Sequence, residues 1–200
     1  MAKRKADSMV PSVFFYAAKG ESGFLSNFYG RAESKRFTLM IDGREYPTVE
    51  HFFQASKFIA SAEVLPAMRY ADLVREATTP NIAKVLACQK VGGGYPWRTK
   101  LNPIITQYLA EGVVIRPDWE IVKNDVMYEG VHQKFLQNRE LAEKLLATGV
   151  KQLVEHTGRD AYWGDGGDGS GRNMLGEILM KVRGALSEGS IEGGKKFKSA

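Results

Sequence analysis

Apolar residues recur at helical spacing over long stretches of this chain. One stripe follows Asp118, which is predicted to cap its helix, and a second follows Asn173. Each stripe predicts a long amphipathic helix that packs one face against a core. The members are Trp119, Val122, Val126, Met127 and Phe135 in the first stripe, and Leu175, Ile178, Leu179, Val182 and Leu186 in the second. Shorter helices are predicted behind the N-cap Thr48 and at 66–76, 80–90, 101–109 and 141–146.

Strand patterns are short and few. The apolar run Val13–Tyr16 predicts a buried strand, and Gln152–His156 predicts another. Alternating residues at 36–41, followed by the turn pair Asp42-Gly43, predict a β-hairpin near the N-terminus. The strands are expected to be mostly local. The predicted fold class is therefore α+β, mainly helical, in a single compact domain with a few short strands.

Length and composition fit one domain without a membrane segment. The chain has 200 residues, 44% of them hydrophobic, and we expect a domain at 13–186 between a basic disordered tail at 1–12 and a Gly/Lys-rich tail at 187–200. No apolar run approaches the roughly 18 residues that span a bilayer, and no secretory signal is seen. We expect a monomer inside the cell, cytoplasmic or alternatively nuclear, that does not bind membranes.

Metal and cofactor chemistry lacks a signature in the sequence. The 3 histidines are scattered, so no zinc site is predicted, and the acidic residues do not follow EF-hand spacing. Cys88 is the single cysteine, which excludes an intramolecular disulfide. We expect neither a metal nor a cofactor. The formal net charge of +5 instead suits a polyanionic partner.

The segment from Asp160 to Asn173 is the densest candidate site. It holds three carboxylates, one Trp and five glycines, and glycines at this density allow the backbone to approach a ligand closely. Trp163 in this loop is a candidate platform for stacking a base, and Trp119 is a second one. The loop leads into a helix N-terminus near Asn173, which favours binding of a phosphate.

A second candidate site lies on the helix that follows Thr48. Glu50, Gln54 and Lys57 are spaced i, i+4 and i+7, so an acid, an amide and an amine share one helix face. One interpretation is an ordinary amphipathic helix with solvated charges. The other is a site for acid–base and nucleophilic chemistry.

Four segments share their order and spacing with a known family. They are Leu25–Phe28, then Glu50–Phe58, then Trp119 with Val126-Met127 and Lys134-Phe135, and finally Leu153–His156 continued through Trp163–Gly167 to Asn173–Gly176. Together they resemble the NADAR family, also described as YbiA-like N-glycosidases. The resemblance extends over residues 13–186. It implies cleavage of an N-glycosidic bond between ribose C1 and a nitrogen.

The resemblance implies two substrate classes. One is ADP-ribose attached to guanine bases in nucleic acid, and the other is a ribosylamino-pyrimidine phosphate intermediate of riboflavin synthesis. In both, the leaving nitrogen is an exocyclic amine that keeps a hydrogen, so the sugar can open to an imine. An enzyme amine can then attack that imine and form a Schiff base that water hydrolyses.

Catalytic roles follow from this resemblance. Lys57 is the first candidate for the attacking amine and Lys19 is the second. Glu50 is the candidate general acid and base, and Asp160 is the candidate that stabilises a cationic C1. An alternative mechanism pairs Glu50 with Asp160 as in glycoside hydrolysis, without a lysine adduct.

The remaining site residues are expected to bind the substrate through amide groups, aromatic faces, loop backbone and positive charge. They are Asn27, Gln54, Trp119, Trp163, Gly164, Asp165, Gly166, Arg172 and Asn173. The expected partner is an ADP-ribose-containing substrate.

Removal of ADP-ribose from guanine in nucleic acid is the favoured activity, because the basic net charge fits a polyanionic substrate. Hydrolysis of ribosylamino-pyrimidine phosphates is the alternative enzyme activity. A module that binds ADP-ribose or NAD without catalysis is the third hypothesis.

Overall fold

Helices make up about half of the residues that the computed structural model describes, which are 11–59, 64–92 and 96–192. The helices in these ranges are α1 (Val49–Ala55), α2 (Leu65–Arg75), α3 (Pro80–Ala87), α4 (Pro96–Thr99), α5 (Asn102–Ala110), α6 (Trp119–Gln137), α7 (Arg139–Ala147) and α8 (Met174–Glu192). The strands are β1 (Ser12–Phe15), β2 (Met40–Ile41), β3 (Arg44–Glu45) and β4 (Gln152–Glu155). The predicted mainly helical α+β fold is confirmed.

Helix α8 continues to Glu192, beyond the expected start of a tail at residue 187. Most of the predicted N-terminal tail, 1–10, and the last residues, 193–200, lie outside the described ranges. Within the described ranges, no helix has the length and apolar character needed to cross a membrane.

The hairpin forms where its turn residues predict it. Strands β2 and β3 pair antiparallel, with Ile41 opposite Arg44. Asp42 and Gly43 have φ values of 50° and 72°, which is the left-handed conformation that a type I′ turn requires at both central positions. The Asp-Gly dipeptide therefore sets the direction of the chain before α1.

Strand β1 pairs in parallel with β4, which lies far away in the sequence. The register places Val13 opposite Leu153 and Phe15 opposite Glu155. The expectation of mostly local strands is wrong for this pair. A parallel pair needs a long crossover, and here nearly the whole helical part of the chain provides it. One face of β4 packs against α8, so alternate residues of β4 point into the interior.

Helix α1 is at the centre of the fold and packs against α2, α3 and α6. Thr48 caps it as predicted, since its hydroxyl accepts a hydrogen bond from the His51 backbone N–H at 3.2 Å. The His51 ring is held between the Thr48 hydroxyl and the Ala77 carbonyl. All seven residues of α1 are buried. The interpretation of this helix as a surface helix with solvated charges is therefore wrong for Glu50.

The start of α6 differs in one detail from the expectation. Asp118 occupies the N-cap position, but its side chain makes no capping hydrogen bond. Its carboxylate instead accepts hydrogen bonds from Arg116 Nε at 2.6 Å and Nη2 at 2.7 Å. A bidentate guanidinium is a stronger donor to a carboxylate than a backbone N–H, so the ion pair takes precedence over the cap.

Candidate functional site

Glu50 is a buried carboxylate held by two side-chain amides. It is 3% exposed. Asn27 Nδ2 donates to Oε2 at 2.7 Å, and Gln54 Nε2 donates to Oε1 at 2.8 Å. The Asn27 carbonyl also accepts the Glu50 backbone N–H at 3.0 Å. The Leu25–Phe28 segment and α1 are thus joined at the carboxylate, whose position is fixed from both sides.

The environment of Glu50 favours its protonated form. Burial raises its pKa, while the charge of Lys84, the hydrogen bond from Gln54 and the charge of Lys57 lower it. The charge of Asp160 raises it further. The net shift is upward. A raised pKa suits a carboxyl group to deliver a proton to a leaving amine, which is the role of a general acid.

Lys57 is an amine in apolar and aromatic surroundings, just after the end of α1. Its Nζ lies 5.9 Å from the centre of the Phe53 ring and 5.6 Å from that of Trp119. Burial lowers the pKa of Lys57, although the charges of Cys88 and Glu50 oppose this shift. A larger fraction of the amine is therefore neutral than for an exposed lysine, and only the neutral amine is a nucleophile.

The two candidate tryptophans differ in exposure. Trp119 is 7% exposed and belongs to the core, with its ring centre 4.8 Å from that of Phe53. It forms one wall around the Lys57 amine, so its burial argues against the expected role as a stacking platform. Trp163 is partly exposed and packs against Phe53 at 5.3 Å. Trp163 alone of the two keeps surface that a base can contact.

The carboxylates of the Gly-rich loop hold the loop itself together. Asp160 Oδ1 accepts the backbone N–H groups of Tyr162 at 2.9 Å and Trp163 at 2.8 Å. Asp165 Oδ1 accepts the N–H groups of Thr157 and Gly167, and its Oδ2 lies 2.7 Å from His156 Nδ1.

The hydrogen bond with His156 is the main reason why the pKa of Asp165 is lowered. Asp165 is buried and its oxygens are already occupied within the loop. This occupation contradicts the expectation that Asp165 binds substrate.

The start of α8 is also already paired. The backbone N–H groups of Met174 and Leu175 donate to the carbonyls of Tyr162 and Trp163, each at 3.1 Å. The expected phosphate site at this helix N-terminus is therefore not supported, because a phosphate would have to displace the loop. Asn173 likewise serves the fold, since its amide bridges the backbone of β4 at Leu153 and Glu155.

The expected loop glycines serve close packing and turn geometry. A Cβ on Gly164 would come within 2.6 Å of Thr157 and 2.8 Å of the Glu155 carbonyl. Gly166 has a φ of 75°, which side chains rarely adopt. These two glycines therefore allow the loop to lie directly against the end of β4.

Two further predicted residues lie at the surface. The Arg172 guanidinium lies 4.9 Å from the centre of the Tyr162 ring, and Lys123 Nζ lies 4.0 Å from the same ring. Lys123 is ion-paired with Glu120, so the exposed cation beside this ring is Arg172. Lys19 is exposed, and among the described residues no recorded contact joins it to Glu50 or Lys57.

Three residues of this region were not expected from the sequence. Glu155 is buried at the end of β4, and burial together with the charges of Asp160 and Glu50 raises its pKa to about 7. Lys84 on α3 is exposed, and its charge lowers the pKa of both Glu50 and Glu155. Lys134 is buried, and its Nζ donates to the Ser26 carbonyl at 2.8 Å, next to Asn27.

A sequence signal existed for one of them. In the strand pattern of β4, Leu153 and Glu155 fall on the same face, so an inward Leu predicts an inward Glu. Nothing comparable identifies Lys84 or Lys134, because their positions depend on packing between helices.

This arrangement can support cleavage of a glycosidic bond. Glu50 can supply a proton, Lys57 can supply an amine, and Asp160 and Glu155 place further negative charge nearby. Among the described residues, no cluster of His, Cys, Asp and Glu is arranged to hold a metal ion.

Comparison with known proteins identifies one family. The profile of the NADAR domain matches residues 14–187. The N-glycosidase YbiA of Escherichia coli is 35% identical over 173 residues, which cover 86% of this chain and 87% of that protein. A riboflavin biosynthesis protein of Vibrio vulnificus is 36% identical over 184 residues, which cover 92% of this chain and 41% of that protein. The NMR structure of E. coli YbiA superimposes with a TM-score of 0.67 at 32% identity, covering 94% of this chain and 92% of that one.

Proposed function

Because this chain belongs to the NADAR family and is a hydrolase of N-glycosyl bonds, we propose that it removes ADP-ribose from guanine bases in nucleic acid. The bond cleaved joins ribose C1 to the exocyclic amine of the base. The observation that carries the proposal is a buried acid, Glu50, in the first turn of α1 together with a desolvated amine, Lys57, just after the end of α1, each of whose charges acts on the pKa of the other.

An exocyclic amine suits this pair of groups. The glycosylated nitrogen keeps one hydrogen, so the ribose ring opens to an imine. The neutral Lys57 amine adds to C1 of that imine, and the C1–N bond to guanine then breaks. The electron pair of that bond goes to the guanine nitrogen, which takes a proton from Glu50. Water hydrolyses the resulting lysine imine, which frees the amine and releases ADP-ribose.

A mechanism without a lysine adduct uses the same acid. Glu50 protonates the leaving nitrogen, and Asp160 stabilises positive charge at C1 while water attacks. One oxygen of Asp160 is engaged by two backbone N–H groups. The other oxygen is the one that would face the substrate in this mechanism.

The charge distribution supports a polyanionic substrate. The net charge is +5, and the cations of Lys123 and Arg172 lie on Tyr162, directly before Trp163 in the chain. Arg172 is exposed and can contact a phosphate group while Trp163 contacts a base, whereas Lys123 is paired with Glu120.

A second candidate function is hydrolysis of ribosylamino-pyrimidine phosphates. It is favoured by the Vibrio vulnificus relative, which is named as a riboflavin biosynthesis protein. These substrates also carry an exocyclic amine on ribose, so the same chemistry applies to them. A module that binds ADP-ribose or NAD without catalysis is the third candidate.

One assay ranks the three. The protein is incubated separately with an ADP-ribosylated guanine oligonucleotide, a ribosylamino-pyrimidine phosphate and NAD, and release of base or ribose is followed. We expect turnover of the oligonucleotide that falls steeply as salt rises from about 50 to 200 mM, because phosphate contacts are lost. Turnover of the mononucleotide alone would instead establish the second function.

Glu50→Gln tests catalysis against binding. We expect a loss of turnover on the order of a hundredfold or more with substrate binding retained, because the amide cannot deliver a proton. Glu111→Gln, at the exposed C-cap position after α5, is the matched control. If the Glu50 variant kept both full turnover and full binding, the assignment of Glu50 as the acid would be wrong.

A further inference from the structure

Glu155 faces the interior of the protein from the last position of β4. Exposure alternates along this strand, and Leu153 and Glu155 are its two buried residues. Glu155 is 9% exposed, and its neighbour across the strand pair, Phe15, belongs to the core. An inward-facing carboxylate in a strand costs stability. Its presence at a buried position therefore suggests that a function retains it.

The backbone around Glu155 is fixed on both sides. Its N–H donates to Asn173 Oδ1 at 2.9 Å, and its carbonyl accepts the Asp165 N–H at 2.9 Å. Asn173 is fixed in turn, because its Nδ2 donates to the Leu153 carbonyl at 2.8 Å. The carboxylate is therefore presented from a rigid support, as a catalytic group requires.

The carboxylate itself is uncommitted. Within 11–59, 64–92 and 96–192, no side chain or backbone group donates a hydrogen bond to it, whereas both oxygens of Glu50 have amide donors. A buried carboxylate without a donor has lone pairs available for a water molecule or a substrate hydroxyl.

Charged groups from several elements act on Glu155. Burial is the largest cause of its raised pKa, followed by the charges of Asp160 in the loop and Glu50 on α1. Lys84 on α3 opposes the shift and Asp165 adds to it. Glu155 is therefore a buried carboxyl group whose pKa responds to the charge of a second buried carboxyl group, Glu50, and a carboxyl group with a pKa of about 7 is suited to accept a proton near neutral pH.

We propose that Glu155 is a second catalytic residue, the base that takes the proton from the attacking water while Glu50 acts as the acid. The inference rests on the proposed function and deepens it. In this step the water oxygen bonds to C1, and one water proton moves to Glu155. The electron pair of the breaking C1–N bond goes to the leaving nitrogen, which takes the proton of Glu50. After product release, the proton on Glu155 returns to Glu50 through solvent, which restores both groups.

In the route through a lysine adduct, the same base acts one step later. Water then adds to the imine carbon of the Lys57 adduct while Glu155 takes one water proton, which gives a carbinolamine. Glu155 passes that proton to the lysine nitrogen, the C–N bond breaks with its electron pair going to that nitrogen, and the hydroxyl loses its proton to solvent to give the aldehyde of ADP-ribose. Both routes therefore require an ionised Glu155 when water attacks.

The test is the pH profile of turnover. A base must be ionised, so kcat is expected to fall as the pH drops below the pKa of Glu155, which is about 7 in the free protein. Glu155→Gln should lower kcat at least about a hundredfold with little change in KM and should remove this acidic limb. Glu155→Ala should regain activity with added formate, which supplies a carboxylate, while Glu111→Gln should behave as wild type.

Two results would overturn the assignment. One is a Glu155→Gln variant within twofold of wild-type kcat that keeps the acidic limb. The other is a large loss of activity with an unchanged limb and no formate rescue, which would indicate a purely structural role. Circular dichroism and thermal unfolding check that each variant folds.

A measurement without substrate separates this inference from the proposed function. Carboxyl carbon NMR, assigned with the Glu155→Gln variant, should show Glu155 titrating near neutral pH. Its pKa should fall in Glu50→Gln, because the charge of Glu50 is gone. If Glu155 had an ordinary pKa that Glu50→Gln left unchanged, the electrostatic effect of Glu50 on Glu155 would be refuted, even if the wild type cleaved every substrate. If no substrate were cleaved while Glu50 still affected the pKa of Glu155, the result would count against the proposed function alone.

Discussion

The buried Lys134 offers a stability test that does not depend on any substrate. It is 1% exposed, its Nζ donates to the Ser26 carbonyl, and burial lowers its pKa from 10.5 to about 7. The charge of Glu33 opposes this shift only in part. Between pH 7 and 10.5 the unfolded chain therefore binds more protons at this residue than the folded protein does.

The sign follows from proton linkage. Where the unfolded state binds more protons, the free energy of unfolding rises with pH. For a lysine with pKa values of about 7 folded and 10.5 unfolded, the integrated gain between pH 7 and pH 9 is about 2 kcal/mol. In Lys134→Met this contribution is absent. The lost hydrogen bond to Ser26 adds an offset of about 1–3 kcal/mol that does not vary with pH.

Urea unfolding of wild type and Lys134→Met at pH 7, 8 and 9 measures this difference. The stability of wild type relative to the variant should rise by about 2 kcal/mol over the range, whatever its starting sign. The exposed Lys151 provides the control, since Lys151→Met should keep a constant difference from wild type. A constant difference for Lys134→Met as well would mean that the folded protein does not depress the pKa of Lys134, and the reasoning would be refuted.

Two further changes test the packing of α8 and the amine. Gly176→Ala places a Cβ 2.0 Å from the Leu153 carbonyl oxygen and should lower the free energy of unfolding, measured by thermal unfolding, by at least about 2 kcal/mol. Gly184→Ala, with open space in the same helix, should raise it by about 0.5–1 kcal/mol. Equal effects of the two changes would contradict the close approach of α8 to β4 at Gly176. Borohydride with ADP-ribosylated guanine should attach a sugar to Lys57 in wild type but not in Lys57→Met, as seen by mass spectrometry, and no adduct on any lysine of the wild type would exclude the imine route.

Local patterns in the sequence were sufficient for much of the fold. Thr48 as an N-cap, Asp42-Gly43 as a turn and the stripes of α6 and α8 each depend on neighbouring residues, and all are found as predicted. Spacing also placed Glu50, Gln54 and Lys57 on one helix face, and Glu50 and Gln54 are joined on α1 by a hydrogen bond. Lys57, however, lies in the turn after α1, because the helix ends at Ala55.

The loop shows where residue types mislead. Asp165 and Asn173 are polar residues in a Gly-rich segment, which is also what a ligand site contains. Their hydrogen bonds instead close the loop on His156 and on β4. A short polar side chain can bind a ligand or cap its own backbone, and composition does not distinguish the two.

The amino-acid sequence by itself determined the helices, the hairpin, the family resemblance and the segment that carries Glu50 and Lys57. Tertiary packing decided the chemistry of that segment. Burial of α1 raises the pKa of Glu50, burial beside Phe53 and Trp119 lowers that of Lys57 in the following turn, and the distant pairing of β1 with β4 brings in Glu155. Spacing is a local property of the chain, whereas desolvation and charge proximity depend on segments that meet only in the folded protein.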